Sequence, residues 1–272
     1  MVSQEQRRRQ LAREKFLRQQ QRRTSARRRT QTRNAVIAAV VGVLVAGGAT
    51  AYATGLFKSD DKKASAAGAT PSATPTSKAP DPCEKPAEGA VKSLTWKKEP
   101  AVTIDTSAAY SMKIATTCGD IGIALKASAA PHTVNSFAFL AGKGYFDHTK
   151  CHRLTTNGIY VLQCGDPTGQ GSGGPGYTIP DENLKDKTLK GNVYPAGTIA
   201  MANTGQKHTG GSQFFLVYQD SQLPPSYTPF GTISTSGMTV LKKIAAAGES
   251  TGQGDGAPNA TVVVNKLTVT KS

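Results

Sequence analysis

The residue types in this 272-residue chain that most readily do chemistry are four histidines, four cysteines and a glycine-rich run, and each needs particular surroundings to do it. Gly169, Gly171 and Gly174 satisfy the letter of G-x-G-x-x-G, a loop that lets backbone N–H groups approach a dinucleotide pyrophosphate. That loop must leave a strand and open a helix. Pro175-Gly176 follows here and no βαβ unit surrounds it, so a mobile surface loop after Asp166-Pro167 is expected instead. Cys151, His152 and Cys164 could be imagined as zinc ligands, but neighbours on a strand point to opposite faces and there is no C-x-x-C pair, so no metal site is expected. A hydrolytic triad lacks a G-x-S-x-G elbow, and His132, His148, His152 and His208 read as surface or structural histidines. The cysteines, Cys83, Cys118, Cys151 and Cys164, form an even set, which in an oxidising compartment favours two disulfides. A Cys151–Cys164 bridge would close a predicted hairpin and contribute about 3 kcal/mol in the chain-entropy model. If Arg153 and Gln163 face one another, however, those two cysteines are one residue out of register, and all three pairings stay open.

The most informative segments are His152-Arg153-Leu154, Tyr160-Val161-Leu162-Gln163-Cys164-Gly165-Asp166, Met201-Ala202-Asn203, Gly211-Ser212-Gln213-Phe214-Phe215 and Phe230-Gly231. In this order they resemble the cyclophilins, peptidyl-prolyl cis/trans isomerases with a closed eight-stranded antiparallel β-barrel capped by two α-helices. The resemblance covers about residues 110 to 270, and the wording from Cys151 to Pro167 looks most like exported cyclophilins of Gram-positive bacteria. It implies that Arg153 is the catalytic arginine, with Gln163 and Asn203 beside it. The proline pocket falls on Tyr160, Val161, Phe215, Leu223 and Tyr227, and the peptide groove runs along Ala202 and Gln213. Phe214, alternating with Phe215, is expected to face the barrel interior. Arg153 and Gln163 stand two residues further apart than is common in the family, and the stretch from Met201 to Gln213 is one residue longer. Tyr160 replaces a usual Phe, Tyr227 a frequent His, and Gln222 stands where cyclosporin-sensitive members carry Trp.

These residue types suit that chemistry on physical grounds. A prolyl peptide bond resists rotation by about 18–20 kcal/mol because the nitrogen lone pair is delocalised into the carbonyl. No nucleophile is needed, only a site that favours the twisted state, whose pyramidal nitrogen can accept a hydrogen bond. A permanently charged guanidinium suits this, a glutamine can orient it, and an apolar cup can grip the ring. The backbone N–H of Asn203 would donate to the peptide carbonyl. A gain of about 10⁵ in rate requires roughly 7 kcal/mol, whereas one charge-assisted hydrogen bond supplies about 1.5–3, so preorganised dipoles and desolvation must supply the remainder. No cofactor is implied.

The elements that must position these residues follow from periodicity. Tyr110 to Leu125 alternates as a hairpin about Cys118-Gly119-Asp120. A helix is predicted from Pro131, with Val134, Phe137, Leu140 and Ala141 on one face and Gly142 and Gly144 ending it. A second fits 237–247, and short strands are predicted at 149–154, 159–164, 197–202, 212–218, 229–233 and 261–270.

The N-terminal third is different. Net charge is +15, but residues 1–34 hold twelve Arg or Lys and two Glu, leaving 21 basic against 16 acidic residues elsewhere. The basic arm lacks the interleaved aromatics that stack bases, so nucleic acid is not expected as a partner. Residues 35–57 carry no charge and suffice to cross a bilayer, which needs about 20 apolar residues. The basic flank places residues 1–34 in the cytoplasm, against anionic lipid headgroups, and the remainder outside. Ala51-Tyr52-Ala53 offers the alternative of cleavage near Ala53 and secretion. Residues 58–104 form a Pro/Ala/Ser/Thr-rich linker with a transitional segment, and residues 105–272 the cyclophilin-like domain, expected to be monomeric. The expectation is a membrane-anchored, extracytoplasmic prolyl isomerase acting on proline-containing polypeptides during export. The alternative is a non-catalytic chaperone module that binds proline peptides.

Overall fold

A computed structural model describes residues 80–272; the basic arm at 1–34, the apolar span at 35–57 and the linker up to residue 79 lie outside the described residues. Among the described residues no helix is long and apolar enough to cross a membrane.

Alternating apolar residues set the first hairpin, β1 (Tyr110–Thr116) and β2 (Gly119–Leu125), in which Met112 faces Ile123 and Ile114 faces Ile121. Helix α1 (Pro131–Gly142) begins with the predicted proline in its first turn and buries Val134, Phe137 and Leu140. The next strands are β3 (Thr149–Lys150), β4 (Arg153–Thr155), β5 (Val161–Cys164), β6 (Val193–Tyr194), β7 (Thr198–Met201), β8 (Phe214–Val217), β9 (Ser221–Gln222) and β10 (Pro229–Ile233). Helix α2 (Thr235–Ala246) starts two residues before its predicted position because Ser234 caps it, accepting a hydrogen bond from the N–H of Gly237 at 3.1 Å. Two strands, β11 (Asp255–Gly256) and β12 (Val263–Lys271), complete the chain.

The main sheet is antiparallel, in the order β11-β4-β5-β8-β7-β10-β2-β1-β12-β3, with β6 and β9 paired separately. It therefore holds ten hydrogen-bonded strands, where eight were expected. The stretch predicted as one strand at 149–154 breaks at Cys151-His152 into β3 and β4, and β11 adds a short outer pair to β4. Only those two residues separate β3 from β4, yet the two strands lie near opposite ends of the order. The sheet must consequently curl back on itself. Its interior holds a core in which Phe137 stacks on Phe146 at 5.2 Å and meets Phe214 and Phe230 at 5.5 and 4.7 Å.

Two disulfides resolve the open pairings, Cys83–Cys118 and Cys151–Cys164. The break between β3 and β4 removes the register objection to the second: the N–H of Cys151 bonds Val262 while that of His152 bonds Gln163, so regular alternation does not govern this corner. Oxidised to each other, these two thiols are not metal ligands. Residues 80–104, counted above with the linker, lie along the domain. Glu84 donates to Thr117, Trp96 to Pro175 and Thr103 to Asn135, while Trp96 packs edge-on against Phe139 at 5.0 Å.

Candidate functional site

Strands β4, β5, β7 and β8 place the predicted chemistry on one outer face of the curled sheet. Arg153 and Gln163 are directly opposite partners across β4 and β5, and Gln163 in turn faces Phe215 on β8. Side chains alternate along β8, so Phe214 enters the core while Phe215 joins a second apolar cluster with Val161, Tyr194, Ala200 and Val217. Gly165 is essential to this junction. Its φ of 90° is left-handed, and a Cβ there would overlap the carbonyl oxygen of Ser212, whose hydroxyl donates to the Gly165 carbonyl at 2.7 Å. Gly231 answers a different demand, since a Cβ would lie 2.8 Å from the Ala124 carbonyl oxygen on β2.

The result is a cavity of about 180 Å³ lined by Arg153, Ile159, Val161, Gln163, Ala202, Asn203, Phe215, Leu223 and Tyr227. Its apolar side is Ile159, Val161, Phe215, Leu223 and Tyr227, with the Phe215 and Tyr227 rings edge-to-face at 5.4 Å. Its polar side is a relay: Arg153 Nη1 donates to Gln163 Oε1 at 3.2 Å, Gln163 Nε2 to Gln213 Oε1 at 2.9 Å, and Gln213 Nε2 to the Gly173 carbonyl at 2.9 Å. Asp255 binds the guanidinium from the other side, accepting from Nε and Nη2 at 2.7 Å each. Bonding to that carboxylate holds the guanidinium proton even more firmly than usual, and the same pair draws Asp255 below the ordinary carboxylate range. The side chain of Asn203 is engaged in its own turn, donating to Ser226 and accepting from Gly205.

Beyond Gln163, Ala202, Asn203 and Gln213, a second cavity of about 670 Å³ opens toward the glycine run. Most amides that a dinucleotide loop would turn toward a phosphate are here turned toward a carboxylate of the chain itself. The buried carboxylate of Asp166 accepts from the N–H groups of Thr168, Gln170, Gly171 and Ser172. The loop expected to be mobile is wound around this one side chain.

Residues 111–269 match the family described as "Cyclophilin type peptidyl-prolyl cis-trans isomerase/CLD". The chain belongs to the cyclophilin family. Among curated relatives, this cyclophilin is 51% identical over 168 residues to a probable peptidyl-prolyl cis-trans isomerase B of Mycobacterium leprae, covering 59% of this chain and 57% of that one. It is 46% identical over 186 residues to the protein of the same description in Mycobacterium tuberculosis, covering 65% and 60%. The chain thus spans less than two thirds of the length of both. A solved cyclophilin-type isomerase of Cryptosporidium parvum matches with a TM-score of 0.50 at 26% identity, covering 60% of this chain and 99% of that one.

Of the ten site residues predicted, eight line the smaller cavity. Gln213 stands one step away, bonded to Gln163 and lining the larger cavity. Tyr160 does not line either. Alternation puts Ile159 and Val161 on the cavity side, while the Tyr160 ring packs edge-on against Tyr218 at 5.9 Å, so Ile159 takes its place in the apolar cup. Asp255 carries no signal of its role in the sequence, because an acidic residue amid Gly252, Gly254 and Gly256 reads as a turn, and it lies 102 positions from Arg153.

Proposed function

We propose that this cyclophilin is a peptidyl-prolyl cis/trans isomerase that rotates X-Pro bonds of exported polypeptides. The observation that carries the reading is that the guanidinium of Arg153 lines the same cavity as an apolar wall of Phe215, Leu223 and Val161. A prolyl ring seated on that wall brings its nitrogen within reach of the guanidinium, which donates to the nitrogen only as it turns pyramidal and so stabilises the twisted state selectively. Asn203, Ala202 and Gln213 serve the peptide backbone on either side. Arg153→Ala is expected to lower kcat/KM on a short X-Pro peptide by about ten- to a hundredfold while leaving residual activity. Wild-type rates in that variant would remove Arg153 from the mechanism. Acceleration of a proline-limited refolding phase at substoichiometric amounts separates this reading from a chaperone that only binds.

We also read the curled sheet as an eight-stranded barrel, with β3 and β4 as one strand bent at Cys151-His152. Two disulfides support work outside the cytoplasm. The uncharged stretch at 35–57 with its basic flank supports a single-pass anchor, N-terminus inside, with the arm against anionic lipid. Retention in the membrane pellet after alkaline extraction, with an intact mass that includes residues 1–57, is the expected result. A mature chain beginning near residue 54 would favour secretion.

A further inference from the structure

Arg153 has five N–H bonds to place, and their distribution is specific. Asp255 takes one on Nε and one on Nη2, and Gln163 takes one on Nη1. One N–H on each terminal nitrogen is left for a ligand in the cavity that Arg153 lines. We propose that Asp255 is a positioning residue of the isomerase site, locking the Arg153 guanidinium in the plane from which it donates to the substrate. This rests on the isomerase reading above.

The pair is poorly placed to serve folding. The two side chains are 37% and 55% exposed, and ion pairs so open to water contribute little to stability. What two parallel charge-assisted bonds do supply is orientation of a long, rotamer-rich side chain. Asp255 is itself held rigidly for this. Strand β11 pairs Asp255 with Thr155 and Gly256 with Leu154, directly beside Arg153. The turn before it is organised by Glu249, whose carboxylate accepts from the N–H and hydroxyl of Thr251 and from the N–H of Gly254. The Gly254 carbonyl accepts from Thr156 at 2.9 Å, tying the turn to the end of β4. At Gly256 a Cβ would overlap the Glu249 carboxylate, so the tight approach of turn and strand needs glycine there.

The test uses the full chain and a short X-Pro peptide. Asp255→Ala is expected to lower kcat about tenfold with KM within about twofold and with Tm unchanged, the pattern of lost orientation. Asp255→Asn, which keeps one acceptor oxygen, should fall between. The deciding comparison is Arg153→Ala against Arg153→Ala/Asp255→Ala: if Asp255 acts through Arg153, the second substitution costs nothing more. A wild-type kcat in Asp255→Ala, or a loss that repeats in full on the Arg153→Ala background, would overturn this proposal alone. An inactive wild-type chain would overturn the isomerase reading and this proposal with it.

Discussion

Two polar residues beside the site respond to pH in ways that can be measured. Both ring nitrogens of His152 are buried without a hydrogen-bond partner among the described residues, and burial holds its pKa below 6.5 despite the nearby charge of Asp166. The unfolded chain therefore takes up a proton near pH 6.5 while the folded chain does not, so stability falls as pH drops from 6.5 toward the lower folded value. His152→Leu should flatten that part of a Tm-against-pH curve; an unchanged slope would show that His152 does not cause it. For Asp166, burial alone would raise the pKa, but the Thr168 hydroxyl and the loop amides together hold it below 3.8. Its stabilising effect is complete above that value and is lost as pH falls through the lower folded one. Asp166→Ala strands several amides at once. A loss of about 2–4 kcal/mol in urea denaturation is expected, and the larger cavity should lose its glycine-run wall.

At the scale of elements, the two helices among the described residues are begun by different means. α2 carries its own cap in Ser234, and Ser234→Ala should cost about 1 kcal/mol. α1 has no capping side chain at Ala130. Glu182 supplies one from 50 residues away, accepting from the N–H groups of His132 and Thr133 and from the Thr133 hydroxyl at 3.0, 2.9 and 2.8 Å. A carboxylate at a helix N-terminus satisfies orphan donors and complements the helix dipole together. Glu182→Ala is expected to cost about 1–2 kcal/mol by chemical denaturation, more than the local Ser234 cap. Equal costs would mean that the distant carboxylate adds nothing beyond an ordinary cap.

Across the whole described molecule, the two disulfides act over different spans. Cys151–Cys164 staples the strands that carry Arg153 and Gln163. Cys83–Cys118 ties the 80–104 segment to the β1–β2 turn, closing a separation of 35 residues. In the chain-entropy model that closure is worth up to about 4 kcal/mol. The segment also reaches the larger cavity, because Trp96 supports the Pro175-Gly176 wall through its backbone. Trp96 is the sole tryptophan, so its emission reports on this contact. Cys83→Ser/Cys118→Ser should lower stability by a few kcal/mol and red-shift that emission before the core unfolds. A single transition with unshifted native emission would show that the remaining contacts hold the segment unaided.

Local chemistry determined much of this protein. Alternation wrote the β1–β2 hairpin, Pro131 and helical spacing wrote α1, and the residue types at Arg153, Gln163 and Phe215 carried the resemblance and the nature of the site. Those features depend on neighbours within a few positions, where periodicity and turn chemistry act. Tertiary structure alone decided which cysteines pair, that residues 80–104 lie along the domain, that Ile159 rather than Tyr160 faces the cavity, and that Glu182 and Asp255 serve residues 50 and 102 positions away. None of these leaves a local trace, because a side chain's long-range partner is set by how the sheet curls rather than by what stands next to it in the chain.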